Sequence, residues 1–166
     1  MPKTPAAAKK IVERLEQQRR AIYRRAEKQL EPLRKAAARK LKALQDRLCR
    51  QAKLDEALEV RKLRMRVMGV QPDPGYVRAK ASDIGKSFLY LVVGSHAGSL
   101  WGSGVYTTDS KLAKAAVHAG LVNVGQRAVV RVRIVPGQGQ YVGSSANGVT
   151  SYGYGSWPVS FTLEKP

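Results

Sequence analysis

The apolar side chains of the first fifty residues recur at a regular interval. Ile11, Leu15, Ile22, Ala26, Leu33, Ala37, Leu44 and Leu48 are spaced 4, 7, 4, 7, 4, 7 and 4 residues apart, and Leu30 and Leu41 fall in the same stripe. Eleven residues over three turns is about 3.67 per turn, which gives a nearly straight seam with a slight right-handed drift, suited to packing against another helix. The stretch from Ala6 to Gln51 is dominated by Ala, Leu, Lys, Arg, Glu and Gln and holds no Gly, a composition of good helix formers. Pro32 interrupts it. Proline brings no amide and clashes with the preceding turn, so the pattern predicts one helix over about 6–31 and a restart over about 32–51. A third helix is expected over about 55–68, with Asp55 as its cap, apolar positions at Ala57, Leu58, Val60, Leu63 and Val67, and Gly69 as its stop. Leu58 would then return toward Leu44 and Leu48 in an αα-hairpin.

Beyond this basic helical segment, residues 1–70, the period changes. Gln71-Pro72-Asp73-Pro74-Gly75 opens a Pro/Gly linker, taken as 71–81, in which neither helix nor strand is expected. Ser87 to Val93 is strand-prone, and Val129 to Val135 alternates Arg131 and Arg133 with Val130, Val132 and Ile134 as a half-buried strand does. Gln140–Val142 and Val159–Leu163 read as further short strands. One helix stands between them, Lys111 to Ala119, with Thr108-Asp109-Ser110 as capping candidates and Gly120 as its stop. Its apolar residues surround it almost completely, so it is expected to be buried. The fold class is α+β: one internal helix enclosed by short antiparallel strands over residues 82–166, preceded by a long helical segment.

Charge adds to this picture without choosing a partner. The chain carries 30 Lys and Arg against 12 Asp and Glu, and Arg19-Arg20, Arg24-Arg25, Arg34-Lys35 and Arg39-Lys40 pair cations along the helical segment. Nonspecific polyanion binding at low salt follows. Tyr23 is the only aromatic residue of that segment, which argues against a dedicated single-strand binder. A solvated spacer, a polyanion-binding arm and an oligomerising seam all stand as readings of it. The single cysteine, Cys49, allows no intrachain disulfide and no metal site built on thiolates. No stretch is apolar enough to span a bilayer. Met1-Pro2-Lys3-Thr4-Pro5, followed by alanines and then Lys9-Lys10, reverses the order of a secretory leader, and none is read there.

Four motifs then fall in order. Trp101-Gly102-Ser103-Gly104-Val105-Tyr106-Thr107-Thr108-Asp109-Ser110 resembles the entry W-G-T-x-x-Y-x-x-x-S of LCCL domains, and Ala115-Ala116-Val117-His118-Ala119-Gly120 is similar to their A-A-[IV]-H-A-G helix end. Tyr141-Val142-Gly143-Ser144-Ser145 with Asn147-Gly148-Val149-Thr150-Ser151 resembles their Y-x-G-S…N-G-V-x-S segment, and Ser160-Phe161 their closing strand. The resemblance implies a central helix wrapped by irregular sheets, a binding rather than catalytic role, and a cell-envelope or secreted location. Animal members are stapled by four cysteines. This half has none, Ala113 standing where a helix cysteine would fall, as in bacterial members of the family.

Candidate chemistry is thin. His118 sits in an apolar helix and reads as a structural imidazole; Asp109 reads as a helix cap and Gly120 as a helix stop. No carboxylate pair for acid–base work can be assembled, no cofactor is expected, and an enzyme is not. The residues singled out for ligand contact are Trp101, Tyr106, Asn147, Tyr152, Tyr154 and Trp157, because rings with polar tips on Gly/Ser loops suit sugar stacking or protein contact. The expected function is that of a noncatalytic module on a helical stalk, recognising a glycan, lipopolysaccharide or protein surface. The alternatives are a nucleic-acid or polyanion-associated protein and a structural protein that forms homo-oligomers through its helices.

Overall fold

The computed structural model describes residues 5–166. Met1–Thr4, within the stretch inspected for a leader, and the side chain of Arg20, from the Arg19–Arg20 pair, lie outside the described residues. The chain divides into two units, the first ending at Met68 and the second beginning at Gly69.

The first unit is a helical hairpin. Helix α1 runs without a break from Ala6 to Arg50, with Pro32 inside it, so the expected restart at Pro32 does not occur. Pro32 is exposed. The Lys28 carbonyl that it leaves without an amide can therefore bond water, and the strong helix formers on both sides carry the helix through. The helix closes on Ala52, in a left-handed conformation at φ 57°. Lys53 N donates to Leu48 O at 3.0 Å and Ala52 N to Cys49 O at 3.1 Å, which satisfies two carbonyls of the last turn. Helix α2 spans Leu54–Val67. Asp55 lies inside its first turn and makes no cap bond; Lys53 holds the N-cap position. In the hairpin Leu48 and Ala57 are buried, whereas Leu58 is 49% exposed. The small Ala57 brings the two helices together, in place of the Leu58 contact that the sequence suggested.

The second unit carries β1 (Val70–Pro72), β2 (Ser87–Val93), β3 (Tyr106–Thr107), α3 (Leu112–His118), β4 (Arg127–Pro136), β5 (Ser145–Ala146), β6 (Val149–Thr150) and β7 (Val159–Glu164). Five strands form one sheet in the order β1-β2-β4-β7-β3, and β5 and β6 form a separate ribbon. The sheet is mixed: β1 runs parallel to β2, and the other pairs are antiparallel. Alternation along β4 turns Val130, Val132 and Ile134 inward, onto Leu112, Ala115, Ala116 and Val117 of α3 and onto Tyr106 and Phe161.

Residues 71–81 are part of this unit, in contrast to the linker expected there. Val70–Pro72 pair with Leu89–Leu91; an edge strand tolerates proline because the missing amide can face away from the ladder. Gly75 N bonds Asp73 Oδ1 at 2.8 Å, Leu112 N at the head of α3 donates to Gly75 O at 2.9 Å, and Val77 is 3% exposed in the core. The expected strand at Gln140–Val142 is reduced to a single bridge, Tyr141 to Tyr154.

Candidate functional site: a row of rings on a pinned backbone

The segment from Tyr152 to Pro158 looks flexible in sequence, yet its backbone is tied down on both sides. Tyr141 N donates to Tyr154 O at 2.8 Å and Tyr154 N to Tyr141 O at 3.1 Å. Tyr152 N donates to Leu100 O and Gly102 N to Tyr152 O, both at 2.9 Å. Trp157 N donates to Gln138 O at 3.1 Å, and the chains approach so closely there that a Cβ on Gly137 would lie 1.7 Å from Trp157 O. The Tyr141 hydroxyl, buried beneath, accepts from Gln138 N at 2.9 Å and shares a short hydrogen bond with Ser160 Oγ.

On this frame four side chains form a zigzag row. Tyr152 lies 6.0 Å from Trp101 between ring centroids, Trp101 5.3 Å from Tyr154, and Tyr154 5.6 Å from Trp157. Such tilted and edge-to-face pairs support one another. Tyr152 and Tyr154 are 57% and 39% exposed; Trp101 and Trp157 are half-buried. The Trp157 indole donates to Thr108 Oγ1 at 2.9 Å, which fixes its ring against the loop before α3. Beside the row an open groove of about 460 Å³ is lined by Gly139, Gln140, Tyr141, Gly153, Tyr154 and Gly155.

Two of the residues singled out in the sequence stand elsewhere. Tyr106 is 1% exposed, and its hydroxyl lies 3.0 Å from His118 Nδ1; it faces the core. Asn147 forms the tip of the β5–β6 ribbon with Gly148, both at positive φ, as a two-residue type I′ turn requires. Its amide donates to His118 O at 2.9 Å, so it closes the end of α3. Gly120, at φ 70°, completes that end, with Gly120 N on Val117 O at 2.8 Å and Leu121 N on Ala116 O at 3.0 Å. Asp109 caps nothing: Lys111 holds the N-cap position of α3 without a side-chain bond, and Asp109 Oδ1 accepts from Thr107 Oγ1 at 2.5 Å.

His118 has both ring nitrogens engaged. Nε2 lies 3.2 Å from Ser144 O and 3.1 Å from Ser144 Oγ. A carbonyl oxygen only accepts, so Nε2 carries the proton and Nδ1 accepts from the Tyr106 hydroxyl. In that tautomer the imidazole cannot take a proton from Ser144, and the Tyr106–His118–Ser144 line ties helix to loop. Among the described residues no group of three or more His, Cys, Asp or Glu is placed to hold a metal ion. Tyr141 was not among the residues singled out for ligand contact, although it supports the row and walls the groove. Its signal was the glycines of two facing segments, Gly143 and Gly153, where a Cβ would lie 2.6 Å from Ser151 O and 3.2 Å from Tyr141 O, since facing glycines allow two backbones to approach.

The second unit is thus a small α+β domain, free of cysteine, that presents rings on hydrogen-bonded loops. The family model of the LCCL domain matches residues 93–161, and the C-terminal part of the chain holds an LCCL domain. The cochlins of Cavia porcellus and Homo sapiens are each 37% identical to this chain over 67 residues, which is 40% of this chain and 12% of theirs. The chain thus spans 12% of the length of these curated relatives. LCCL domains are in general noncatalytic interaction modules.

Proposed function

We propose that the LCCL domain recognises a saccharide ligand, of glycan or lipopolysaccharide type, on the row Tyr152, Trp101, Tyr154 and Trp157 and in the groove beside it. The observation that carries this reading is the row itself: four large rings at successive spacings of 6.0, 5.3 and 5.6 Å on loops held by backbone hydrogen bonds. A row fixed before binding loses little side-chain entropy when a ligand docks. Rings offer apolar faces to sugar C–H groups, and tyrosine hydroxyls offer polar tips. The open, shallow groove suits an extended chain better than an enclosed small molecule.

The test is binding of the full chain to an array of glycans and envelope polysaccharides at physiological salt, followed by Tyr152→Ala and Tyr154→Ala. Each loses one exposed ring, and each is expected to weaken binding about five- to tenfold. An array without a binder, or a binder indifferent to both substitutions, sinks the reading. A protein that binds through the same rings while every saccharide fails would replace it.

A further inference from the structure

The apolar stripe of α1 is covered at one end and open at the other. Near its C-terminus Leu48 is buried against α2 and Leu44 is half-buried. Toward the N-terminus Ile11, Leu15, Ile22, Tyr23 and Leu33 are between 60% and 69% exposed, with Val12 and Leu30 beside them. Helix α2 has 14 residues and reaches about 21 Å along its partner at 1.5 Å per residue, so it covers one end only of a helix 45 residues long. The eleven-residue interval does not change where α2 stops. One seam therefore runs through both stretches, and what covers Leu48 is a helix.

We infer that the open stretch, Ile11 to Leu33, is covered by the same stretch of a second copy of this chain, in parallel and in register. The flanks of the stripe support this occupant. In the eleven-residue frame Glu16 and Glu27 are equivalent positions on one flank, and Arg14 and Arg25 are equivalent positions on the other. A parallel pair brings opposite flanks together, so the glutamates of each copy face the arginines of its partner along both sides of the seam. An antiparallel pair would set glutamate beside glutamate. Within one chain Glu16 pairs with Arg19 at 3.0 Å and Glu27 with Arg34 at 2.5 Å; these exposed pairs are worth little alone and can share their carboxylates across the seam.

Three further cations fit the same arrangement, while Arg19, in the frame position of Leu30 and Leu41, pairs with Glu16 of its own helix. Lys28, Arg39 and Arg50 again stand eleven apart, on the side of the helix away from the stripe, so pairing through the stripe turns them outward and keeps the two basic faces apart. The eleven-residue period makes the pair a nearly straight two-helix rod.

Sedimentation equilibrium of the full chain at micromolar concentration and physiological salt is expected to give twice the 18.2 kDa chain mass. Ile22→Glu is expected to give the single mass without altering thermal unfolding of the LCCL domain. Reversing one flank, Glu16→Arg with Glu27→Arg, is expected to weaken the dimer about tenfold, and adding Arg14→Glu with Arg25→Glu to restore it. In a Cys49→Ser background Leu33→Cys is expected to cross-link to itself on oxidation. A monomeric native chain, a dimer unaffected by Ile22→Glu, or a failure of the second reversal to rescue the first would each overturn the inference. So would Leu33→Cys cross-linking only to an Ile11→Cys chain, the signature of antiparallel pairing.

Discussion

Tyr106 combines two properties that a core position seldom combines, near-complete burial and an ionisable hydroxyl. Burial pushes its phenol above the usual tyrosine range, against a weaker opposing effect from the Gly104 backbone, and burial raises Tyr90 likewise. The folded state holds these phenols neutral more tightly than the unfolded chain does. Their contribution is therefore complete below the unfolded value of about 10 and is lost as pH rises through the higher folded values. The melting temperature of the LCCL domain should fall as pH is taken from 9 to 11. Tyr106→Phe should flatten that fall while lowering stability at neutral pH by about 1–3 kcal/mol, the cost of leaving His118 Nδ1 without a donor. Thermal unfolding followed across pH reads both effects; an equally steep alkaline fall in Tyr106→Phe would refute the first. The same pair marks what was legible residue by residue. The structural reading of His118 came from its apolar helix, whereas nothing in the order of residues showed that Tyr106 points inward and Tyr152 outward. Both are tyrosines in glycine-rich stretches, and what separates them is the pairing of Tyr106 with Phe161 in the sheet.

Elements marked by an unbroken run of one propensity between clear stops were legible almost to the residue. β2 falls on Ser87–Val93, and α3 lies within Lys111–Ala119. The boundaries read from single residues fared worse, because a boundary depends on whether a lost bond finds water or another partner. Pro32 does not break α1, since its neighbours form helix strongly and its side chain lies on the solvent side. Asp55 and Asp109 resemble caps in sequence, but the turns before α2 and α3 place Lys53 and Lys111 at the N-cap positions instead. Ala52 is the counterpart at a helix end. It adopts φ 57° without being glycine, which costs about 1–2 kcal/mol for an L residue. Ala52→Gly relieves that strain at the expense of a floppier unfolded chain, so the hairpin should gain about 0.5–1 kcal/mol. Ala52→Val should lose stability at the same position. Urea unfolding followed by helical circular dichroism compares the two, and a loss in Ala52→Gly would mean that the turn carries no strain.

For the whole molecule the question is where the LCCL domain starts. The matched residues, 93–161, begin at the last residue of β2 and omit Tyr90 and Val92, both buried in the core. A start at Ser82, where the sequence changes character, would keep β2 but discard β1, Val77 and the Gly75 carbonyl that receives Leu112 N. Prolines made this stretch look like a spacer. A parallel edge strand three residues long carries too little pattern to oppose that reading, and its partner β2 lies some twenty residues further on. The contacts nevertheless carry weight. Burying one valine is worth about 1.5–3 kcal/mol, and the hydrogen bond at the head of α3 adds about 1 kcal/mol. Against a total stability of 5–15 kcal/mol, that is a substantial share. A fragment of residues 69–166 is therefore expected to unfold cooperatively at the temperature of this domain in the full chain. A fragment of residues 82–166 should lose about 2.5–4 kcal/mol, which lowers its melting temperature by roughly 10–30 °C for a domain of this size. A fragment cut to 93–161 should not fold. Calorimetry of the three separates the outcomes: equal melting of the first two would make residues 69–81 an ornament of the domain, and unequal melting makes them its first strand.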